Sequence, residues 1–131
     1  MRYLLDTHTF IWWVEGTTIL HEKARLAIEN ANSKVYVSVV TAWEIAIKVQ
    51  LGKLNLELMT DTPAQYFYEF CEKYGFEILP IFADHVLETY NLPLLHRDPF
   101  DRILIAQART ENLTLITGDP LIQRYEVTAL W

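Results

Sequence analysis

Tyr3-Leu4-Leu5-Asp6-Thr7-His8 begins as an apolar run and is stopped by a carboxylate. The pattern returns near the end of the chain, at Leu115-Ile116-Thr117-Gly118-Asp119-Pro120. Between them, Ser38-Val39-Val40-Thr41-Ala42-Trp43-Glu44 and Asp98-Pro99-Phe100-Asp101-Arg102 each set an acid near the start of a helical pattern. If the apolar runs are neighbouring strands of one parallel sheet, Asp6, Glu44, Asp101 and Asp119 converge on one edge. Clustered carboxylates repel one another, so such a group at neutral pH calls for a divalent cation.

Outward from these runs, strands and helices alternate. Arg2 to Leu5 reads as the first strand, followed by a short aromatic helix over Phe10 to Val14 that stops near Gly16. His21 to Asn30 is helical, with Leu20, Ala24, Ala27 and Ile28 on one face. Lys34 to Ser38 is the second strand, and Thr41 to Leu51 a helix closed by Gly52. Residues 55 to 62 carry no clear pattern. Pro63 suits the first position of a helix that runs to about Tyr74 and ends at Gly75. Phe76 to Pro80 is a third strand, Ala83 to Asn91 a helix, Pro93 to Pro99 a loop and Phe100 to Glu111 a helix. Thr114 to Ile116 is a fourth strand; a turn of helix after Asp119 and a last strand near Val127 complete the order. Strands separated by helices need crossover connections. The expected fold is therefore a three-layer α/β/α sandwich with a mostly parallel central sheet, as one domain over residues 1–131. Sheets of this kind bind ligands at the carboxyl ends of their strands.

The bulk composition excludes several alternatives. With 131 residues, 51% hydrophobic and 21% charged, the chain has the composition of a globular domain. No apolar stretch approaches the roughly 20 residues of a membrane span. Asp6 and His8 interrupt the N-terminal apolar run, so no secretory signal is present and the cytoplasm is the expected location. A lone Cys71 forms no intrachain disulfide and reads as a buried apolar residue. His8, His21, His85 and His96 lack the spacing of a zinc site. A net charge of −6 argues against tight non-specific binding to duplex DNA, although a bound cation would offset charge locally.

Each acid has an ordinary structural explanation. Thr41 and Glu44 match a capping box, Asp98 before Pro99 an N-cap, Asp101 a first-turn acid, and Asp119 before Pro120 another cap. Capping, however, does not require that these strands share an edge, whereas a cation site does. Mg²⁺ and Mn²⁺ prefer oxygen donors, polarise a phosphoryl oxygen and lower the pKa of a bound water.

The chain resembles the PIN-domain ribonucleases, and among them the VapC-type toxins of prokaryotic toxin–antitoxin pairs. The likeness spans Leu4 to His8, Trp43 to Lys48 with Leu51 to Leu54, His96 to Arg102 running into Ile105-Ala106-Gln107-Ala108, and Leu115 to Asp119. It implies Mg²⁺- or Mn²⁺-dependent cleavage of RNA, homodimerisation and neutralisation by a cognate antitoxin. It also implies that Asp6 and Asp101 are the principal metal-binding carboxylates and that Glu44 and Asp119 hold metal waters or a second ion. Thr117 matches a supporting hydroxyl. Asp101 is preferred to Asp98 as the third acid, leaving Asp98 as the cap.

Around these acids, Lys48 lies one turn after Glu44 and either orients it, meets a phosphate or forms a plain i,i+4 pair. Arg97 and Arg102 flank the acidic loop as candidate RNA contacts. Trp12, Trp13 and Trp43 read as core or dimer contacts, with base stacking as the alternative. A dehalogenase-type phosphatase would need an acid where His8 stands, and a receiver domain an acidic pair after the first strand. The remaining rival is an inactive PIN-like module for RNA binding or protein interaction.

Overall fold

The computed structural model describes residues 1–131. Its order is β1 (Arg2–Leu5), α1 (Thr7–Glu15), α2 (Glu22–Glu29), β2 (Lys34–Ser38), α3 (Val39–Gln50), α4 (Pro63–Tyr74), β3 (Glu77–Leu79), α5 (Ala83–Glu88), α6 (Pro99–Thr110), β4 (Thr114–Ile116) and β5 (Ala129–Leu130). Short 3₁₀ turns follow α5 (Thr89–Asn91) and precede β5 (Ile122–Arg124).

All neighbouring strands pair in parallel, in the order β3-β2-β1-β4-β5. The chain winds outward from β1 through β2 to β3, then returns to lay β4 and β5 on the other side of β1. Strand order thus reverses between β1 and β4, and the crevice at such a switch point is where open sheets bind ligands. Asp6 leaves the end of β1 there, and its amide continues the ladder to the Ile116 carbonyl at 3.2 Å.

Side-chain alternation divides the apolar residues between two cores. Tyr3 and Leu5 of β1, Val35 and Val37 of β2 and Ile116 of β4 face a core completed by Phe10, Val14, Ala24, Ile28, Ile45, Phe67 and Phe70. Leu4 and Leu115 face the opposite core, built on Leu104, Ile105, Ala106 and Ala108 of α6. Cys71 is buried in the first core, where desolvation pushes its thiol up to about 11, as expected of an inert apolar filler. No helix is long and apolar enough to cross a membrane.

Among the boundaries that differ from those read in the sequence, three have a clear local cause. First, α1 begins at Thr7 instead of Phe10, because Asp6 caps it by accepting the Thr9 amide at 2.8 Å. The weak helix formers Thr7, His8 and Thr9 concealed that first turn. Second, α3 begins at Val39: the cap is Ser38, which accepts the Val40 amide, and not Thr41. The capping box expected of Thr41 and Glu44 is therefore absent, since two β-branched valines read as strand are the helix's first turn. Third, the last strand lies at Ala129–Leu130, beyond Val127, because pairing to β4 sets its position through Leu115 opposite Ala129. Val127 instead packs against the second core.

Buried polar bonds lock the layers together. Ser38 Oγ donates to Gln107 Oε1 at 2.6 Å, and Gln107 Nε2 donates to the Pro80 carbonyl at 3.2 Å, pinning α6 to the ends of β2 and β3. Thr7 and Thr41 share a buried hydroxyl contact at 3.1 Å, which joins the first turns of α1 and α3.

Candidate active site

Asp6 is only 4% exposed. Its two oxygens have separate partners: Oδ1 accepts the Thr9 amide at 2.8 Å, and Oδ2 accepts the Thr117 hydroxyl at 2.6 Å. Burial nevertheless raises its pKa above the ordinary carboxylate value, and the hydrogen bonds from Thr117 and Thr9 offset only part of that. Thr117 also accepts the Asp119 amide at 3.1 Å, so one hydroxyl links the acid after β1 to the acid after β4.

Glu44 lies in the second turn of α3 and is 1% exposed. Lys48 donates to its Oε2, while Oε1 is buried with no partner. Burial works to lower the Lys48 pKa, but the Glu44 carboxylate and the more distant Asp98 and Asp101 outweigh it and hold the ammonium above its usual value. A buried carboxylate oxygen left without a donor is costly and rare. Such an oxygen is what a site built to receive a cation presents.

Asp98 caps α6 by accepting the amides of Phe100 at 2.8 Å and Asp101 at 3.4 Å. Asp101 follows in the first turn. Its pKa is pushed up to about 8, first by burial and then by repulsion from Asp98, Asp6, Glu44 and Asp119. Asp101 therefore feels the charge of the acid at each end of the chain and of the acid on α3. That repulsion is the property a divalent cation relieves.

His96 also belongs to this cluster, and reading the chain for zinc spacing missed it. Its Nε2 lies 3.0 Å from Asp101 Oδ2 and 3.0 Å from Asp119 Oδ2. Its Nδ1 accepts the Asp98 amide at 3.2 Å, so the ring proton is on Nε2 and is directed at both carboxylates. The ligating atoms of His96, Asp101 and Asp119 lie within 4.8 Å of one another. The available signal was His96-Arg97-Asp98 itself: a histidine two residues before a helix cap is held at that helix's N-terminus.

The flanking basic residues separate into two kinds. Arg102 donates to the carbonyls of Pro93 at 2.8 Å and Thr89 at 2.9 Å, and to the Tyr125 hydroxyl at 3.2 Å. Tyr125 in turn accepts the His96 amide at 2.8 Å. Arg102, read in the sequence as an RNA contact, is thus committed to holding the loop that carries His96 and Asp98. Arg97 is exposed and makes no hydrogen bond or ion pair within the chain.

The tryptophans also divide. Trp13 packs on the first core against Tyr74 and Phe76. Trp43 is 51% exposed, edge-on to Phe100 at 5.0 Å, and is not a core residue. Trp12 is partly buried beside His8.

An oxygen-rich set of carboxylates, with one imidazole bonded to two of them, is gathered at a switch point between β1 and β4; it suits a hard divalent cation and is unlike the thiolate- and imidazole-rich sets of structural zinc. Fold and site together define a parallel α/β domain with an acidic cluster at its switch point. The chain belongs to the PIN-domain family, whose model matches residues 3–127; PIN domains are generally nucleases. No curated protein matches it in sequence.

Solved structures share the fold at low identity. A chain of the VapBC2 complex from Rickettsia felis, crystallised on a DNA fragment from its promoter, superposes with a TM-score of 0.74 at 17% identity, covering 100% of this chain and 99% of that one. VapBC-1 of nontypeable Haemophilus influenzae gives 0.65 at 20% identity, covering 99% and 97%. VapBC-5 of Mycobacterium tuberculosis, a member of the VapBC family of toxin–antitoxin systems, gives 0.60 at 19%, covering 98% and 95%.

Proposed function

We propose that the protein is a Mg²⁺- or Mn²⁺-dependent endoribonuclease and the toxin of a toxin–antitoxin pair. The observation that carries the catalytic reading is the orphaned, buried Oε1 of Glu44, an acid that repels Asp101, whose carboxyl is raised to about 8 by burial and then by its acidic neighbours. A pure binding module gains nothing from a buried carboxylate that lacks a donor.

Asp6 and Asp101 would hold the cation directly, with Glu44 and Asp119 holding its waters or a second ion. When bound, the cation supplies charge neutralisation at a phosphoryl oxygen and a more acidic water. The chain's own residues do the rest. Thr117 fixes the Asp6 carboxylate in one orientation and draws Asp119 toward it. Lys48 neutralises Glu44 on the side away from its free oxygen. Asp98 sets the start of α6, which fixes the position of Asp101. Arg97, exposed and unpaired between His96 and Asp98, would meet an RNA phosphate.

The toxin reading rests on the resemblance along the whole chain and on fold neighbours that are chains of toxin–antitoxin complexes. It brings with it a cognate antitoxin as partner and a homodimer as the assembly. The test is cleavage of a panel of structured RNAs with Mg²⁺ or Mn²⁺, comparing the wild type with Asp6→Asn and Asp101→Asn. Metal-dependent cleavage lost in both variants is expected. RNA binding by the pure wild type with no metal-dependent cleavage would sink the enzymatic reading. Expression without a partner is expected to arrest growth, and Asp6→Asn to relieve the arrest; equal toxicity of the variant would count against a catalytic origin.

A further inference from the structure

Beside the acids lies an aromatic wall that the cation chemistry does not use. A cavity of about 270 Å³ opens off the cluster, lined by Asp6, His8, Trp12, Gly118, Asp119 and Pro120. Two of the four acids and an indole thus share its lining.

Trp12 is set up differently from the tryptophan next to it. Trp13 is packed on the first core, whereas Trp12 packs on neither core. Its ring centroid lies 5.5 Å from that of His8 and 5.8 Å from that of Trp131, both pairs tilted and not stacked face to face. Trp131 is backed in turn by His21 at 5.0 Å. Within the row His8–Trp12–Trp131–His21, Trp131 is seated over Gly118, where a Cβ would fall 2.7 Å from one of its indole carbons. The bare backbone of Gly118 answers to that indole, since its φ lies outside the left-handed range. An aromatic row whose His8 and Trp12 line a cavity beside the acids offers a platform for stacking.

We propose that this cavity is a nucleobase subsite, in which an unpaired base adjoining the phosphate at the acids stacks on Trp12. The inference rests on the nuclease reading above. No Lys or Arg lines the cavity, and two carboxylates do, so a phosphate is a poor occupant. A base is uncharged, planar and tethered to the phosphate that the acids would address, and every base offers a π face to an indole. A cationic side chain of a protein partner also suits an indole beside carboxylates. Continuity with the phosphodiester site, through the shared Asp6 and Asp119, favours the base.

The test uses the full chain carrying Asp101→Asn, which leaves the cavity lining intact, with short unstructured RNAs bearing 2-aminopurine at successive positions in Mg²⁺. One position is expected to be strongly quenched on binding. Trp12→Leu, which keeps apolar volume but removes the π face, should abolish that quenching and raise Kd roughly tenfold; Trp12→Phe should restore most of both. Cleavage by the wild type of an RNA made abasic at that position should fall roughly tenfold in kcat/KM, with no further loss in Trp12→Leu.

Quenching that is equal at all positions, or unchanged in Trp12→Leu, overturns the subsite, including the case in which Trp12→Leu weakens only a protein partner. Position-specific quenching in a protein that cleaves nothing supports the subsite while removing the nuclease reading. Cleavage indifferent to Trp12 and to the abasic position removes the subsite alone.

Discussion

Thr117 donates its hydroxyl proton to Asp6 Oδ2 at 2.6 Å, although 111 positions separate the two residues. The bond exists because β4 returns to lie beside β1, with Leu5 opposite Ile116. It holds one acid at the switch point in a single orientation and, through the Asp119 amide, reaches a second.

Thr117→Val keeps the shape of the side chain and deletes this donor. A buried carboxylate oxygen then loses its partner, at a cost of about 1–3 kcal/mol. Denaturant melts of the metal-free protein should show that loss, with Thr117→Ser close to wild type. The Asp6 carboxyl, already raised by burial, should rise further and weaken cation binding. Unchanged stability and cation affinity in Thr117→Val would show the bond to be incidental.

Asp101 gives a pH dependence whose sign is fixed by its raised carboxyl. Its pKa is about 8 in the folded chain against 3.8 for the ordinary group. The folded state holds this proton where the unfolded chain has released it. Its contribution to stability is therefore complete below about 4 and lost as pH rises through about 8. The raised Asp6 carboxyl acts in the same direction. Metal-free protein should melt at higher temperature at pH 5 than at pH 8, and Asp101→Asn should flatten that slope. Cation binding below pH 8 should release protons, read by calorimetry in buffers of different ionisation heat. A slope unchanged by Asp101→Asn would remove this residue from the account.

Arg97 and Arg102 should separate cleanly. Arg102→Ala deletes charge-assisted bonds to the Pro93 and Thr89 carbonyls and to Tyr125, and should cost about 2 kcal/mol. It should also loosen the loop that presents His96, lowering kcat. Arg97→Ala should leave the melt unchanged and raise KM for RNA, more so at low salt, where phosphate contacts are strongest. A stability loss in Arg97→Ala or none in Arg102→Ala would reverse the assignment.

The sequence exposed the fold wherever local chemistry and the sheet agreed. Strands β1, β2 and β4 follow from short apolar runs, and α4 from Pro63 at its start and Gly75 at its end, the latter at φ 68. Asp98 could be read as the cap because proline marks the first helical position. Local pattern misled at Ser38, where Val39 and Val40 enter a helix that strand propensity would not assign them. It was silent on His96, whose contacts depend on β4 meeting the α6 N-terminus, and on the pairing of Trp12 with Trp131, which needs β5 to be in place. Arg102 looked like a phosphate contact because its partners, the carbonyls of Thr89, Leu92 and Pro93 and the Tyr125 hydroxyl, are not adjacent to it in the sequence.

Glu44 and Lys48 provide the sharpest separation of a cation site from a structural ion pair. Lys48→Met leaves a fully buried carboxylate with no partner at all. Fully buried pairs lose about 3–5 kcal/mol when one member is removed, and the one-third exposure of Lys48 lowers this to about 1–3 kcal/mol. If Glu44 Oε1 faces a cation, added Mg²⁺ or Mn²⁺ compensates that charge. The metal-induced rise in Tm should then be larger in Lys48→Met than in wild type. Glu44→Gln should behave oppositely, with a metal-free melt at least as high as wild type and a smaller rise on adding metal, because its amide has no negative charge to offer. Equal metal-induced shifts in all three proteins would mean that Glu44 and Lys48 form a structural pair remote from any ion, and the cation site would then rest on Asp6, Asp101 and Asp119 alone.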